Sequence, residues 1–332
     1  MQGIKRCVLT HPSGRKITYE TLGDVSGTPV LYFHGWGSIA SSIFYDQEFL
    51  QQKGLYILMV NRPGYGDSDL VHDYSMGDYA DDVKAVMDHL NIEKAHAIAW
   101  SNGGLFSQVF AYRYPHRLSS LSLAASAVPL KNKEASKVLP FRWKLIRKLY
   151  KFVPYVIRGS LNRVNRRWTR RIRRLLLCLH YKERQRGDLS NLKKQLKKQA
   201  SEGLLEAYRT KGWAEYEEIA AMMNPFELHV WKPPFPVHIW YGSKDHLWPK
   251  KTALYLQDNY HRSCVHAVRG EGHFFFLIYW KEMLETAFTS NRKNRLGKPI
   301  TTNLKEGVVN GEAEVWKKQS KRAAAVRFKG NQ

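Results

Sequence analysis

A largely apolar run, Ala95 to Trp100, leads straight into Ser101, and no other stretch limits the fold of this chain as strongly. Small residues stand two positions before the serine (Ala99) and two positions after it (Gly103). An amphipathic run with helical character, Leu105 to Tyr114, follows. A strand, a tight turn and a helix in that order lift the serine side chain out of the turn and expose its oxygen. The flanking residues must then be small, because the backbone of such a turn is strained and crowded. The stretch reads as an elbow that presents a nucleophile, with Ala in place of the first Gly of G-x-S-x-G. Its plainer reading is a serine in an ordinary strand-to-helix loop.

The flanks of this stretch repeat the same alternation. Runs at residues 4–9 and 16–22, joined by His11-Pro12-Ser13-Gly14, predict a hairpin. Val30 to Phe33 predicts a buried strand ending at His34-Gly35-Trp36-Gly37. Tyr56 to Val60 predicts another, ending at Asn61-Arg62-Pro63-Gly64-Tyr65-Gly66. Ser75 with Asp78 three residues on has the form of a helix start, and Tyr79, Val83, Val86, Met87 and Leu90 recur at helical spacing. Leu118 to Ala125, Val237 to Tyr241 and Cys264 to Val268 are the remaining strand candidates, and a terminal helix is expected over Phe276 to Phe288. Strands alternating with helices imply a mostly parallel sheet covered on both faces. Ligands bind such sheets at the carboxyl ends of the strands.

Charge divides the chain into unlike parts. The net +24 is distributed as −2 over residues 1–130, +17 over 131–232, +1 over 233–290 and +8 over 291–332. Residues 131–232 contain no clear buried strand and mix aromatic and basic residues, so they are expected to form a helical insertion. Residues 291–332 are rich in Lys, Arg, Asn and Gly, and a disordered basic tail is expected there. The near-neutral blocks 1–130 and 233–290 would be the two parts of one core. Three scattered cysteines, Cys7, Cys178 and Cys264, suggest neither disulfides nor a zinc site. The segment Met1 to Thr10 lacks the apolar run of a signal peptide, and no apolar run reaches the roughly 18 residues of a spanning helix. The expected setting is the cytoplasm.

A serine hydroxyl needs a base, a group to orient that base, and donors for the oxyanion it generates. Downstream of Ser101, Asp245 follows the Val237–Tyr241 strand and His273 follows the Cys264–Val268 strand in a Gly-flanked loop. Four motifs now stand in order at strand ends: His34-Gly35-Trp36-Gly37, the turn from Arg62 to Ser68, the Ser101 elbow, and the Asp245/His273 pair. By these the chain resembles the α/β-hydrolase fold family over residues 1–130 and 233–290. The resemblance implies a mostly parallel sheet flanked by helices, with residues 131–232 as a helical lid over the active site. It implies Ser101 as nucleophile, His273 as general base and acid, and Asp245 holding the imidazole in its working tautomer. The oxyanion hole would be the backbone N–H groups of Asn102 and Trp36. Two positions depart from the family pattern: Ala99 stands where Gly is usual, and Asn61 where many relatives carry Asp.

Other residues have structural readings. His34 is expected to bond nearby backbone and support the oxyanion loop, and Asp67 and Asp69 to form turns. Glu271 competes with Asp245 as the group that orients His273. The histidines show no H-E-x-x-H spacing, so no metal is expected, and no cofactor is implied.

The expected activity is hydrolysis of an ester, thioester or amide of a small-molecule acyl substrate through an acyl-enzyme. A serine nucleophile argues against the dehalogenase and epoxide hydrolase branches, which use Asp there. Alternatives are an aminopeptidase of the proline iminopeptidase type, with lid acids such as Glu202, Glu206, Glu215, Glu217 and Glu218 receiving an amine. A cofactor-free haloperoxidase or C–C hydrolase is another, and so is an inactive member that acts by binding. Lid residues Phe141, Trp143, Leu145, Leu149, Trp168, Leu175 to Leu177 and Trp213 would line an apolar pocket. The spacing Trp143, Ile146, Leu149/Tyr150, Val153 fits a basic helix lying on a membrane surface, which makes a peripheral membrane contact through the lid an expectation. No recognised nucleic-acid motif accompanies the charge, so nucleic acid is not an expected partner.

Overall fold

Strand β4 (Leu55–Val60) is buried along its whole length, as are the last residues of β3 (Thr28–Phe33) and all of β5 (Ala95–Trp100). Successive strand residues point to opposite faces. Leu31, Phe33, Leu58, Val60, Ala97 and Ala99 therefore pack into one core layer. Val30, Tyr32, Ile57, Met59, Ile98 and Trp100 pack into the other. A strand that must feed two apolar layers has no room for polar alternation, which is why these segments read as nearly continuous apolar runs. The computed structural model describes residues 4–36, 46–152, 210, 212–224, 231–261 and 263–294.

Eight strands form one sheet in the order β1-β2-β4-β3-β5-β6-β7-β8, with β1 (Lys5–Thr10), β2 (Lys16–Gly23), β6 (Leu118–Ala124), β7 (Val237–Gly242) and β8 (Ser263–Val268) completing it. The hairpin β1–β2 joins antiparallel to β4, and all pairings from β4 to β8 are parallel. One core layer is closed by α2 (Met76–His89), α3 (Asn102–Arg113) and α7 (Lys250–Asn259). The other is closed by α1 (Gln47–Gln52) and α8 (Phe276–Asn294), with Leu50, Phe276, Trp280, Met283 and Leu284 buried against the strands. This is the α/β-hydrolase fold expected from the sequence.

Local signals account for most boundaries. Ser75 caps α2 by accepting from the Asp78 N–H, while the Asp78 side chain accepts from the Ser75 N–H. Asp46 likewise caps α1 by accepting from the Phe49 N–H at 2.9 Å, whereas α7 carries no such signal. α1 lasts six residues, and α7 begins behind Pro249 without a side-chain cap. α8 runs to Asn294 rather than stopping at Phe288.

Within residues 131–232 the described parts are α4 (Ala135–Val138), α5 (Phe141–Phe152) and α6 (Trp213–Met222). Trp168, Leu175 to Leu177, Glu202, Glu206 and the expected tail beyond Asn294 lie outside the described residues. The orientation of α5 departs from the sequence expectation. Trp143 is buried and stacks on Trp248 with ring centroids 4.8 Å apart, and Ile146 and Tyr150 are half-buried against the same core. Phe141, Leu145 and Leu149 are the outward residues, 77%, 43% and 42% exposed. These three side chains face outward, and the buried Trp143 does not belong to that face. The reason is the partner: the buried Trp248 indole stands just before α7, and stacking on it orients the helix.

Trp143→Ala should lower stability by about 3–5 kcal/mol through the cavity it leaves. Phe141→Ala should change it by less than about 0.5 kcal/mol. Urea unfolding of both variants beside the unsubstituted chain measures the contrast.

Candidate active site

Ser101 occupies a backbone conformation that L-residues avoid, with φ 58° and ψ −125°. Such a conformation costs about 1–3 kcal/mol and persists only where its surroundings over-determine it. Here the surroundings do so from both sides. The Ser101 N–H donates to the Ala124 carbonyl of β6 at 3.0 Å, and its own carbonyl accepts from Gly104 at 3.0 Å and Ala127 at 2.9 Å. A Cβ on Gly103 would lie 2.2 Å from the Phe33 carbonyl oxygen and 2.5 Å from that of His34. Only glycine lets α3 start this close to the end of β3.

The partners come from the far side of the sheet. Asp245 follows β7, where its Oδ1 accepts the backbone N–H groups of Leu247 at 2.7 Å and Trp248 at 3.1 Å. Its Oδ2 lies 2.9 Å from His273 Nδ1. Gly242 makes the approach feasible, since a Cβ there would meet the carbonyl oxygens of Glu271 and Gly272 at 2.6 Å. His273 opens a single 3-10 turn before α8, and Trp100 Nε1 donates to its carbonyl at 3.1 Å. His273 Nε2 then stands 3.0 Å from Ser101 Oγ. With Asp245 accepting from Nδ1–H, the network leaves Nε2 to accept the hydrogen bond of the Ser101 hydroxyl. All three side chains are buried at the carboxyl ends of their strands. Asp245, not Glu271, is the carboxylate on this imidazole.

The two expected oxyanion donors sit on adjoining segments. Asn102 is the first residue of α3, so its backbone N–H has no acceptor within the helix. Trp36 follows Gly35, and a Cβ on Gly35 would touch the Trp100 ring at 2.9 Å and Ser101 Cβ at 3.4 Å. The chain before Trp36 thus runs directly against the elbow. Gly37 lies outside the described residues. His34 bonds nearby backbone: its Nδ1 donates to the Gly35 carbonyl at 3.1 Å. Burial, then the nearby Arg62 charge, pushes its pKa well below the usual value and keeps the ring neutral.

One cluster beside the elbow brings together residues that nothing in the sequence pairs. Arg62, fully buried, donates to the carbonyls of His34 at 2.8 Å and Gly35 at 2.9 Å, and to Glu218 Oε2 of α6 at 3.1 Å. Tyr65 donates to the same Glu218 oxygen at 2.5 Å, and Asn102 Nδ2 donates to the other at 3.3 Å. Burial pushes the Glu218 carboxyl above the usual carboxylate range, against the pull of Arg62 and these hydrogen bonds. Glu217, on the same helix, accepts from the Asp73 N–H at 3.0 Å and lies 2.7 Å from His72 Nδ1. Both oxygens of the buried Glu215 lack a hydrogen-bond partner among the described residues.

Comparison with known proteins places this architecture. Residues 28–278 match the family described as alpha/beta hydrolase fold. An esterase from Rhodococcus sp. superposes with a TM-score of 0.64 at 17% identity, covering 87% of this chain and 99% of that one. A bifunctional esterase/perhydrolase from Acinetobacter calcoaceticus is 30% identical over 122 residues, 36% of this chain and 44% of its own length. A non-heme haloperoxidase from Rhodococcus erythropolis is 33% identical over 128 residues, 37% of this chain and 44% of its own. The matched region spans less than half the length of the curated relatives.

Burial, with the Glu218 charge adding to it, pushes the Glu215 carboxyl up to about 8 from its ordinary 4.5. Between those values the folded chain holds a proton that the unfolded chain has released. The stability contributed by the neutral buried acid is therefore complete below about pH 4.5 and is lost as the pH rises to about 8. Glu215→Gln should remove that loss. Its stability relative to the unsubstituted chain should rise by on the order of a few kcal/mol between pH 5 and pH 8, read from urea unfolding at both.

Proposed function

The chain belongs to the α/β-hydrolase fold family, and on that premise we propose that it is a serine hydrolase cleaving a carboxylic ester through an acyl-enzyme. The observation that carries the reading is the hydrogen-bonded line from Ser101 Oγ through His273 to Asp245, at 3.0 Å and 2.9 Å, behind a serine held at φ 58°. In the proposed mechanism His273 Nε2 takes the hydroxyl proton as Oγ bonds to the ester carbonyl carbon. The carbonyl π pair moves to oxygen, where the backbone N–H groups of Trp36 and Asn102 receive the charge. Asp245 stabilises the imidazolium that forms. Collapse of the tetrahedral species breaks the bond to the leaving alkoxide, which takes the proton from His273. Water then repeats the sequence, with His273 as base, and releases the acid from Ser101.

The aminopeptidase alternative needs an ionised carboxylate free to receive a substrate amine. Of the described acids of the insertion, Glu217 is bonded to His72 and the Asp73 N–H, Glu218 to Arg62, Tyr65 and Asn102, and burial pushes the Glu215 carboxyl up to about 8; Glu202 and Glu206 lie outside the described residues. That distribution favours the ester reading.

A fluorophosphonate probe should label Ser101, and Ser101→Ala should abolish labelling and lower kcat on a short-chain p-nitrophenyl ester by about 10⁴-fold or more. Undiminished labelling in Ser101→Ala, or no labelling of the folded unsubstituted chain, refutes the reading.

A peripheral lipid contact through the insertion belongs, on this reading, to the outward face of α5. There Phe141, Leu145 and Leu149 stand among the exposed Arg142, Lys144 and Lys148, and α5 contains no acid. An apolar stripe set among bases complements an anionic membrane surface. Vesicles containing phosphatidylserine should co-sediment the protein and phosphatidylcholine vesicles should not. The paired substitutions Phe141→Glu and Leu145→Glu should release it, and binding that survives them rules this face out.

A further inference from the structure

We propose that Glu218, delivered by the last described helix of the insertion, is a positioning residue that sets the oxyanion hole by anchoring Arg62 and Asn102. The inference rests on the serine hydrolase reading above and deepens it. The Gly35 carbonyl and the Trp36 N–H belong to one planar trans peptide, so they point in opposite directions. Whatever holds the Gly35 oxygen therefore aims the Trp36 N–H the other way. Arg62 holds that oxygen at 2.9 Å and the preceding His34 oxygen at 2.8 Å. Gly35 has no Cβ to resist rotation of this peptide, so the restraint must come from outside it.

Arg62 in turn needs a restraint of its own. Its guanidinium is fully buried, and Glu218 is the acid that pairs with it, itself fully buried. The same Nη2 atom serves both the Gly35 oxygen and Glu218 Oε2. The carboxylate thus fixes where the nitrogen sits while it grips the oxyanion loop. The second oxygen of Glu218 accepts from the side chain of Asn102, whose backbone N–H is the other expected donor. One carboxylate from the insertion therefore ties together the two chain segments that must present their N–H groups to the same oxygen. Tyr65 Oη, at 2.5 Å, completes its shell. The insertion so contributes to the chemical step, and its docking is linked to assembly of the hole.

Because a misplaced hole weakens the transition state more than the ground state, the effect should fall on kcat. Glu218→Ala should lower kcat on a p-nitrophenyl ester by about 100-fold, with KM within about threefold. The isosteric Glu218→Gln, which keeps hydrogen-bonding atoms but not the charge, should lose only about tenfold. Binding of a trifluoromethyl ketone, which forms a tetrahedral adduct, should weaken in parallel with kcat. Circular dichroism and thermal unfolding report whether each variant is folded. If Glu218→Ala does not fold, Glu218→Gln decides. A folded Glu218→Gln with kcat and ketone affinity within twofold of the unsubstituted chain overturns the proposal, as does a loss confined to KM. If the unsubstituted chain neither turns over the ester nor reacts with a fluorophosphonate, the hydrolase reading itself fails. If it does both and the Glu218 variants match it, only this inference fails.

Discussion

The left-handed backbone at Ser101 is the constraint on which the rest of this structure depends. A serine at φ 58° is held there by hydrogen bonds from β6 and from the segment after it, and by α3 starting in contact with the end of β3. Each restraint requires the parallel order β3-β5-β6. In that sense the sheet exists to hold a strained turn, and the turn reports that the sheet is correctly assembled. Burial of the apolar runs on both faces offsets the local strain many times over.

Around that turn, loops from several strand ends meet. Glycines allow backbone-to-backbone contact at two of the junctions. Gly103 admits the carbonyls of Phe33 and His34, and Gly242 admits those of Glu271 and Gly272. The second junction carries His273 over Asp245. Trp100 then closes the arrangement, since its ring packs against His273 and Phe276 while its Nε1 holds the His273 carbonyl. Trp100 thereby ties His273 to the strand that leads into Ser101.

Part of this arrangement is legible in the amino-acid order. Ser101, Asp245 and His273 are readable because each follows an apolar run and stands in a Gly- or Asp-containing turn, which are local signals. The capping box at Ser75 and Asp78 is readable for the same reason. The short helix α1, the uncapped α7 and the role of Gly242 are not, because nothing near them in sequence states what they pack against. The face of α5 is ambiguous in sequence because its apolar residues surround the helix. Trp143, Ile146 and Tyr150 alternate with Phe141, Leu145 and Leu149, and spacing alone does not rank one set above the other.

By itself the sequence determined the family, the strand ends and the order of the chemical groups along the chain. These follow from short-range patterns of apolar runs, glycines and turn residues that fold locally in only a few ways. Tertiary structure alone decided which charges are buried together. Arg62 and Glu218 are 156 residues apart, and no local rule selects Glu218 over Glu215 or Glu217 on the same helix. That choice depends on the angle at which α6 meets the strand ends. It places one carboxylate on a guanidinium, one against His72 and one without a hydrogen-bond partner among the described residues. The energy of a buried charge depends on its neighbours in space, and those exist only once the sheet has formed.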